Sequence, residues 1–176
     1  MAELSRIEQD FRDSYWNHER YEGGKMYRCT FVHSRLSDIG LKDQIVILSS
    51  IWFWSKLTSV QCRDLRIQLG YFQECKFWDV TLTATSVVDI RFEQSTIFGC
   101  KFADTSLQHI RLKKCELSHL TLSQVKLTDV KFDQCIFKEI EWEQLEFEKV
   151  TFKNCYFDRL PKTIPEGCKF KHCMEI

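Results

Sequence analysis

The chain carries no excess charge of either sign: Lys and Arg number 25, and Asp and Glu number 25. This excludes the positive surplus of a general nucleic-acid binder and the negative surplus of a whole-chain nucleic-acid mimic, so any electrostatic function must be local. The amino-terminal MAELSRIEQDFRDSYWNHERYEGG lacks an uninterrupted apolar run, which is neither a secretory signal nor a membrane span. Asn-x-Ser/Thr sequons are missing, and no P-loop, GxGxxG, HExxH or GxSxG occurs. A cytoplasmic, non-enzymatic protein is expected, without cofactor, metal, membrane partner or direct nucleic-acid contact. Signal-less export stays open. Without a signal segment the nine cysteines read as reduced thiols rather than a disulfide framework.

What the chain does have is apolar content, 44% hydrophobic and 14% aromatic over 176 residues, enough for one domain with a sizeable core. Its periodicity is neither 3.6 nor 2. In VKFDQCIFKEIEWEQLEFEKVTFKNCYF, residues 130–157, Phe132, Phe137, Trp142, Phe147, Phe152 and Phe157 recur every fifth position, and the register runs back without a break to Ile67. Two positions before each lies a second column without charge, from Leu65 to Cys155. Positions i−2 and i therefore point inward while i−1, i+1 and i+2 carry nearly all the charge, so each pentad is one short wall and one corner of a solenoid.

This pattern resembles the pentapeptide-repeat family over roughly residues 27–157, in a Cys/Val/Ile and Phe-rich variant of the A(D/N)LXX repeat. The resemblance implies an all-β solenoid, a right-handed quadrilateral parallel β-helix with four pentads per coil, and a bacterial origin. Four walls per coil require residues twenty apart to stack. Cys75, Ser95, Cys115, Cys135 and Cys155 then form a ladder of small side chains, and Phe72, Phe92, Leu112, Phe132 and Phe152 form another.

Before residue 65 the register shifts by one, which predicts an extra residue near Leu41 to Ile45. Both prolines fall in LPKTIPEG, which ends the repeat, with Cys168 and Phe170 adding a last half-turn. Ser5 with Glu8 fits a capping box, and Leu4, Ile7, Phe11 and Tyr15 make a helical stripe ending at Gly23-Gly24. The expected organisation is a capping helix over 1–25, the β-helix over 26–160 and a carboxy-terminal cap over 161–176.

Inward cysteines read as small apolar filler. His109 and His119, ten residues apart, fall on opposite walls and cannot share a ligand. Cys168, His172 and Cys173 cluster but lack a fourth zinc ligand.

Function is expected on the outside. Trp78 and Phe98 are both outward at i+1 and stack twenty residues apart; with Trp54 and Tyr71 they are the candidate contact anchors of a rigid protein-interaction scaffold. Burial of these aromatics under the capping helix or the bulge is the competing expectation. Glu139, Glu141, Glu143, Glu146 and Glu148 form an acidic patch about one coil thick. Several family members resemble DNA in charge and shape and protect DNA gyrase, so a topoisomerase is the alternative partner, and delivery as a bacterial effector is a third reading. A stripe of Arg91, Arg111, Lys131, Lys113 and Lys153 suits phosphate or an acidic partner, against the plainer reading of alternating-sign salt-bridge ladders. A homodimer stays open.

Overall fold

The computed structural model describes residues 2–159 and 165–176. The chain winds as a parallel β-solenoid. Strands of mostly three residues follow one another every five positions, and each pairs with the strand one coil away: Leu112 with Phe132, Leu117 with Phe137, Leu122 with Trp142 and Leu127 with Phe147. Four walls close a coil. The backbone is satisfied between coils in both directions. The amide of Lys131 donates back to Ile110 O at 2.9 Å, while the corner amide of Gln134 donates forward to Lys153 O at 2.9 Å.

The wall centred on Phe132, called the first here, is a separate nine-stranded sheet. Its inward rungs are Phe11, Phe31, Trp52, Phe72, Phe92, Leu112, Phe132, Phe152 and Phe170. The rings stack along the axis, with centroids 4.7 Å apart for Phe132 and Phe152 and 5.0 Å for Phe72 and Phe92. Strand spacing of about 4.8 Å matches the thickness that offset rings need, so one wall can be aromatic almost throughout. The second, third and fourth walls, centred on Phe137, Trp142 and Phe147, supply mainly aliphatic and aromatic rungs to the same core.

The expected capping helix does not exist. Ala2–Ile7, Asp10–Arg12, Tyr15–Asn17 and Arg20–Tyr27 are strands, and no helix occurs among the described residues. Ser5 pairs with Lys25, and Glu8 holds a corner and meets Arg28 at 3.1 Å instead of capping a helix. Gly24 ends nothing either. It lies against Leu4 with φ +105, and a Cβ there would overlap the Leu4 carbonyl. The physical reason for the misreading is that an end coil has one neighbour only, so its inward positions tolerate Arg6, Gln9 and Glu19, which hides the five-residue period. The Arg6 guanidinium instead covers the open end, 5.8 Å over the Trp16 ring.

The extra residue sits at Asp43–Gln44, both with positive φ, and strands on either side pair 21 apart, as Arg35 does with Lys56. At the other end the loop is shorter: Cys168–Lys171 pairs with Val150–Lys153 at an offset of 18. Residues 160–164 of LPKTIPEG lie outside the described residues.

Candidate protein-interaction surfaces

The corner residues at i+2 from Glu8 to Asn154, and His172, are in the left-handed region, with φ of 48–63° at the non-glycine positions. That conformation is costly for most side chains and least so for Asp, Asn, His and Gly. Corners accordingly collect Asp38, Asp64, Asp79, Asp89, Asp104, Asp129 and Asn154, and all five histidines. Corner residues of successive coils stack, so four of the five histidines find carboxylates one coil away. His18 lies 2.6 Å from Asp38, His119 2.9 Å from Glu139, His109 3.2 Å from Asp89 and His33 3.8 Å from Asp13. Sequence reasoning separated His109 from His119 but missed these partners, because it treated the corner as unconstrained. Hydrogen bonds from His18 and then Arg20 hold the Asp38 carboxyl below its ordinary range, and Arg111 does the same to Asp129. Corners hold carboxylates more often than Lys or Arg, although Glu141, Glu143, Glu146 and Glu148 stand on walls.

Trp78 and Phe98 are adjacent rungs of the second wall, 38% and 41% exposed, with ring centroids 6.3 Å apart. Nothing covers them among the described residues. The Lys56 ammonium lies 4.0 Å over Trp78, and Phe98 meets His119 edge-on at 4.8 Å. The result is one column of ammonium, indole, phenyl, imidazole and the Glu139 carboxylate across successive coils. Trp54 and Tyr71 do not join it. Trp54 stands at the corner between the first and second walls, φ 48 and 50% exposed, packed edge-on to His33. Tyr71 is a first-wall residue beside Phe53, and its hydroxyl donates to Gln73 and Glu93. Lys56, stacked between Arg35 and Lys76, separates the two aromatic groups and lines an open depression with Trp54 and Glu74.

The acidic patch keeps its single layer. Glu141 and Glu143 flank Trp142 on the third wall, and Glu146 and Glu148 flank Phe147 on the fourth. One coil back they meet Thr121 at 3.0 Å, Ser123 at 3.5 Å and Lys126 at 3.6 Å, while Glu148 pairs with its neighbour Lys149 and Glu139 with His119. The basic stripe is longer than the sequence suggested, since the last strand adds Lys169 and Lys171 to the first wall.

The cysteine ladder has a function beyond filling space. Ser14, Ser34, Ser55, Cys75, Ser95, Cys115, Cys135, Cys155 and Cys173 occupy one inward corner column, and each donates to the carbonyl two residues earlier. From Ser34 onward each also reaches a first-wall carbonyl one coil back, as Cys155 does to Phe132 O at 3.6 Å. Thiol and hydroxyl serve alike here because both donate one hydrogen. Burial pushes Cys75 up to about 11, and Cys62 and Cys100 up to about 12; the Cys115 thiol, then Cys155 and burial, push Cys135 up as well. No grouping of three potential metal ligands occurs among the described residues, Cys168, His172 and Cys173 included.

A family model described as pentapeptide repeats matches residues 100–138 with eight copies. Over those residues the chain carries pentapeptide repeats. No curated protein matches it in sequence. Among solved structures, the chain is similar to a trypsin-treated variant of QnrB1, a plasmid-mediated fluoroquinolone resistance protein, at 11% identity and a TM-score of 0.68, covering 99% of this chain and 90% of that one. It is also similar to the tailspike protein gp49 of Acinetobacter baumannii bacteriophage Fri1, a capsular polysaccharide depolymerase, at 13% identity and a TM-score of 0.55, covering 92% of this chain and 41% of that one. At these identities the likeness is one of fold. No helix among the described residues is long and apolar enough to cross a membrane.

Proposed function

We propose that this pentapeptide-repeat protein is a non-enzymatic, protein-binding solenoid whose partner is a type II DNA topoisomerase. The observation that carries the partner class is the architecture shared with QnrB1 along nearly the whole of both chains. The observation that carries the mode of contact is the exposed column of Lys56, Trp78, Phe98, His119 and Glu139. A rigid wall that presents two large aromatic rings with charged groups at either end has the make-up of an interface hot spot with a polar rim. Uniform duplex mimicry is disfavoured, because the five glutamates make one layer and most outward wall positions elsewhere are neutral or basic.

The test is a gyrase supercoiling assay with and without a fluoroquinolone, using wild type and Trp78→Ala/Phe98→Ala. Wild type is expected to inhibit supercoiling or to restore it in the presence of drug, and the double variant to lose the effect. Neither inhibition nor protection by wild type would remove the topoisomerase reading.

A further inference from the structure

Resting on the protein-binding reading above, we infer that the carboxy-terminal half of the first wall is a docking face for an acidic polypeptide segment laid along the solenoid axis. Five successive rungs present Arg91 and Glu93, Arg111 and Lys113, Lys131 and Asp133, Thr151 and Lys153, then Lys169 and Lys171. Seven of these ten outward residues are basic and two acidic. The carboxylates present are already engaged. Asp129 at the neighbouring corner takes Arg111 at 2.8 Å and Lys131 at 3.9 Å, Asp133 accepts from Asn154, and Glu93 accepts from Tyr71.

Arg91, Lys113, Lys153, Lys169 and Lys171 are exposed and enter no ion pair among the described residues. Lys153 and Lys171 are direct rung partners, an arrangement that repels at strand spacing and costs stability with no internal compensation. In a chain of zero net charge this is a local surplus on one flat face, and anionic groups from outside are what would neutralise it.

The geometry favours a peptide over a nucleic acid. The five rungs extend about 19 Å along the axis, the length of about six extended residues, so about three same-side carboxylates of such a segment would face them. No outward aromatic residue stands on these rungs to stack a base, and Glu93 and Asp133 interrupt a continuous phosphate track.

The experiment is a fluorescence-anisotropy titration of the full chain at low salt with a labelled Glu/Ser peptide, a neutral Gly/Ser peptide and single-stranded oligothymidylate. Lys113→Glu/Lys153→Glu/Lys171→Glu is compared with Lys25→Glu/Arg66→Glu/Lys101→Glu, which changes net charge equally on other walls. Lys113→Gln/Lys153→Gln/Lys171→Gln serves if the first variant fails to fold. Selective binding of the acidic peptide, weakened about tenfold by the first-wall variants and nearly unchanged by the control, is expected. Equal loss in both triple variants, no preference over the neutral peptide, or tighter binding of oligothymidylate would overturn the assignment. So would sedimentation showing that the wall is occupied by a second copy in wild type alone. A protein that binds the acidic peptide here yet leaves gyrase untouched refutes the topoisomerase partner and retains the docking face.

Discussion

The rings of Phe31 and Trp52 lie 3.7 Å apart and 8° from parallel, yet the Trp52 indole nitrogen is buried without a hydrogen-bond partner. The rung is aromatic by need and tryptophan by accident of size. Trp52→Phe removes an unsatisfied donor and keeps a ring where Phe31 and Phe72 already stack, so its stability should stay within about 1 kcal/mol of wild type. Trp52→Ala should cost about 3–5 kcal/mol. Urea denaturation of the two variants checks the contrast.

Ser50 and Ser55 are both buried and adjacent in the repeat, but only Ser55 has partners. Its hydroxyl donates to Phe53 O at 2.9 Å and accepts from Ser34 N at 3.2 Å, whereas Ser50 Oγ has none. Ser55→Ala should destabilise by about 1 kcal/mol or more, and Ser50→Ala should be neutral or stabilising. Equal losses in thermal melts would contradict the donor column.

Leu69 occupies a left-handed corner at φ +56 while 57% exposed, so it bears backbone strain with little burial in return. Leu69→Asn should raise stability by about 0.5–1 kcal/mol, measured as an upward shift in melting temperature. An unchanged or lower melting temperature would mean that the corner is not strained for leucine.

Asp38 and Asp129 have carboxyls held below their ordinary range by His18 with Arg20 and by Arg111, respectively. A depressed folded-state value means the unfolded chain binds the proton first. The contribution is therefore present above the unfolded Asp range, near pH 4, and is lost as pH falls through the folded values. Asp38→Asn/Asp129→Asn should be less stable than wild type at pH 7, with the difference shrinking below about pH 4. Denaturation midpoints across that range give the comparison.

Trp78 and Phe98 keep about two-fifths of their surface in water. Alanine at both should leave circular dichroism unchanged and lower the melting temperature only modestly, while abolishing partner effects in the supercoiling assay. A large stability loss would instead give the column a structural role.

The two inward columns were legible from residue 65 onward because inward positions must be apolar and must match in volume from coil to coil. The corner was not legible. Its left-handed backbone favours Asp and His but is also filled by Glu74, Lys114 and Gln134, so residue type alone does not expose it. The first coil was misread for a different reason: Leu4, Ile7, Phe11 and Tyr15 imitate a helical stripe, while Arg6, Gln9 and Glu19 break the true register. Of the candidate surfaces, Trp78 and Phe98 emerged as a pair because their spacing is one coil. Trp54 and Tyr71, grouped with them as outward aromatics of the same half of the chain, stand on another corner and wall. Lys169 and Lys171 were missed as first-wall residues because the last loop is two residues short of the regular step.

The serine and cysteine column has a consequence for ageing rather than folding. Of its thiols, Cys75, Cys115, Cys135 and Cys155 are buried and only Cys173, on the final rung, meets solvent. Oxidation of this column therefore has one entrance, at the carboxy-terminal end, and each coil that loosens would bare the next thiol of the column beneath it. The molecule would wear from that end inward, like a rope fraying strand by strand, while the serine-lined amino-terminal coils stay chemically quiet.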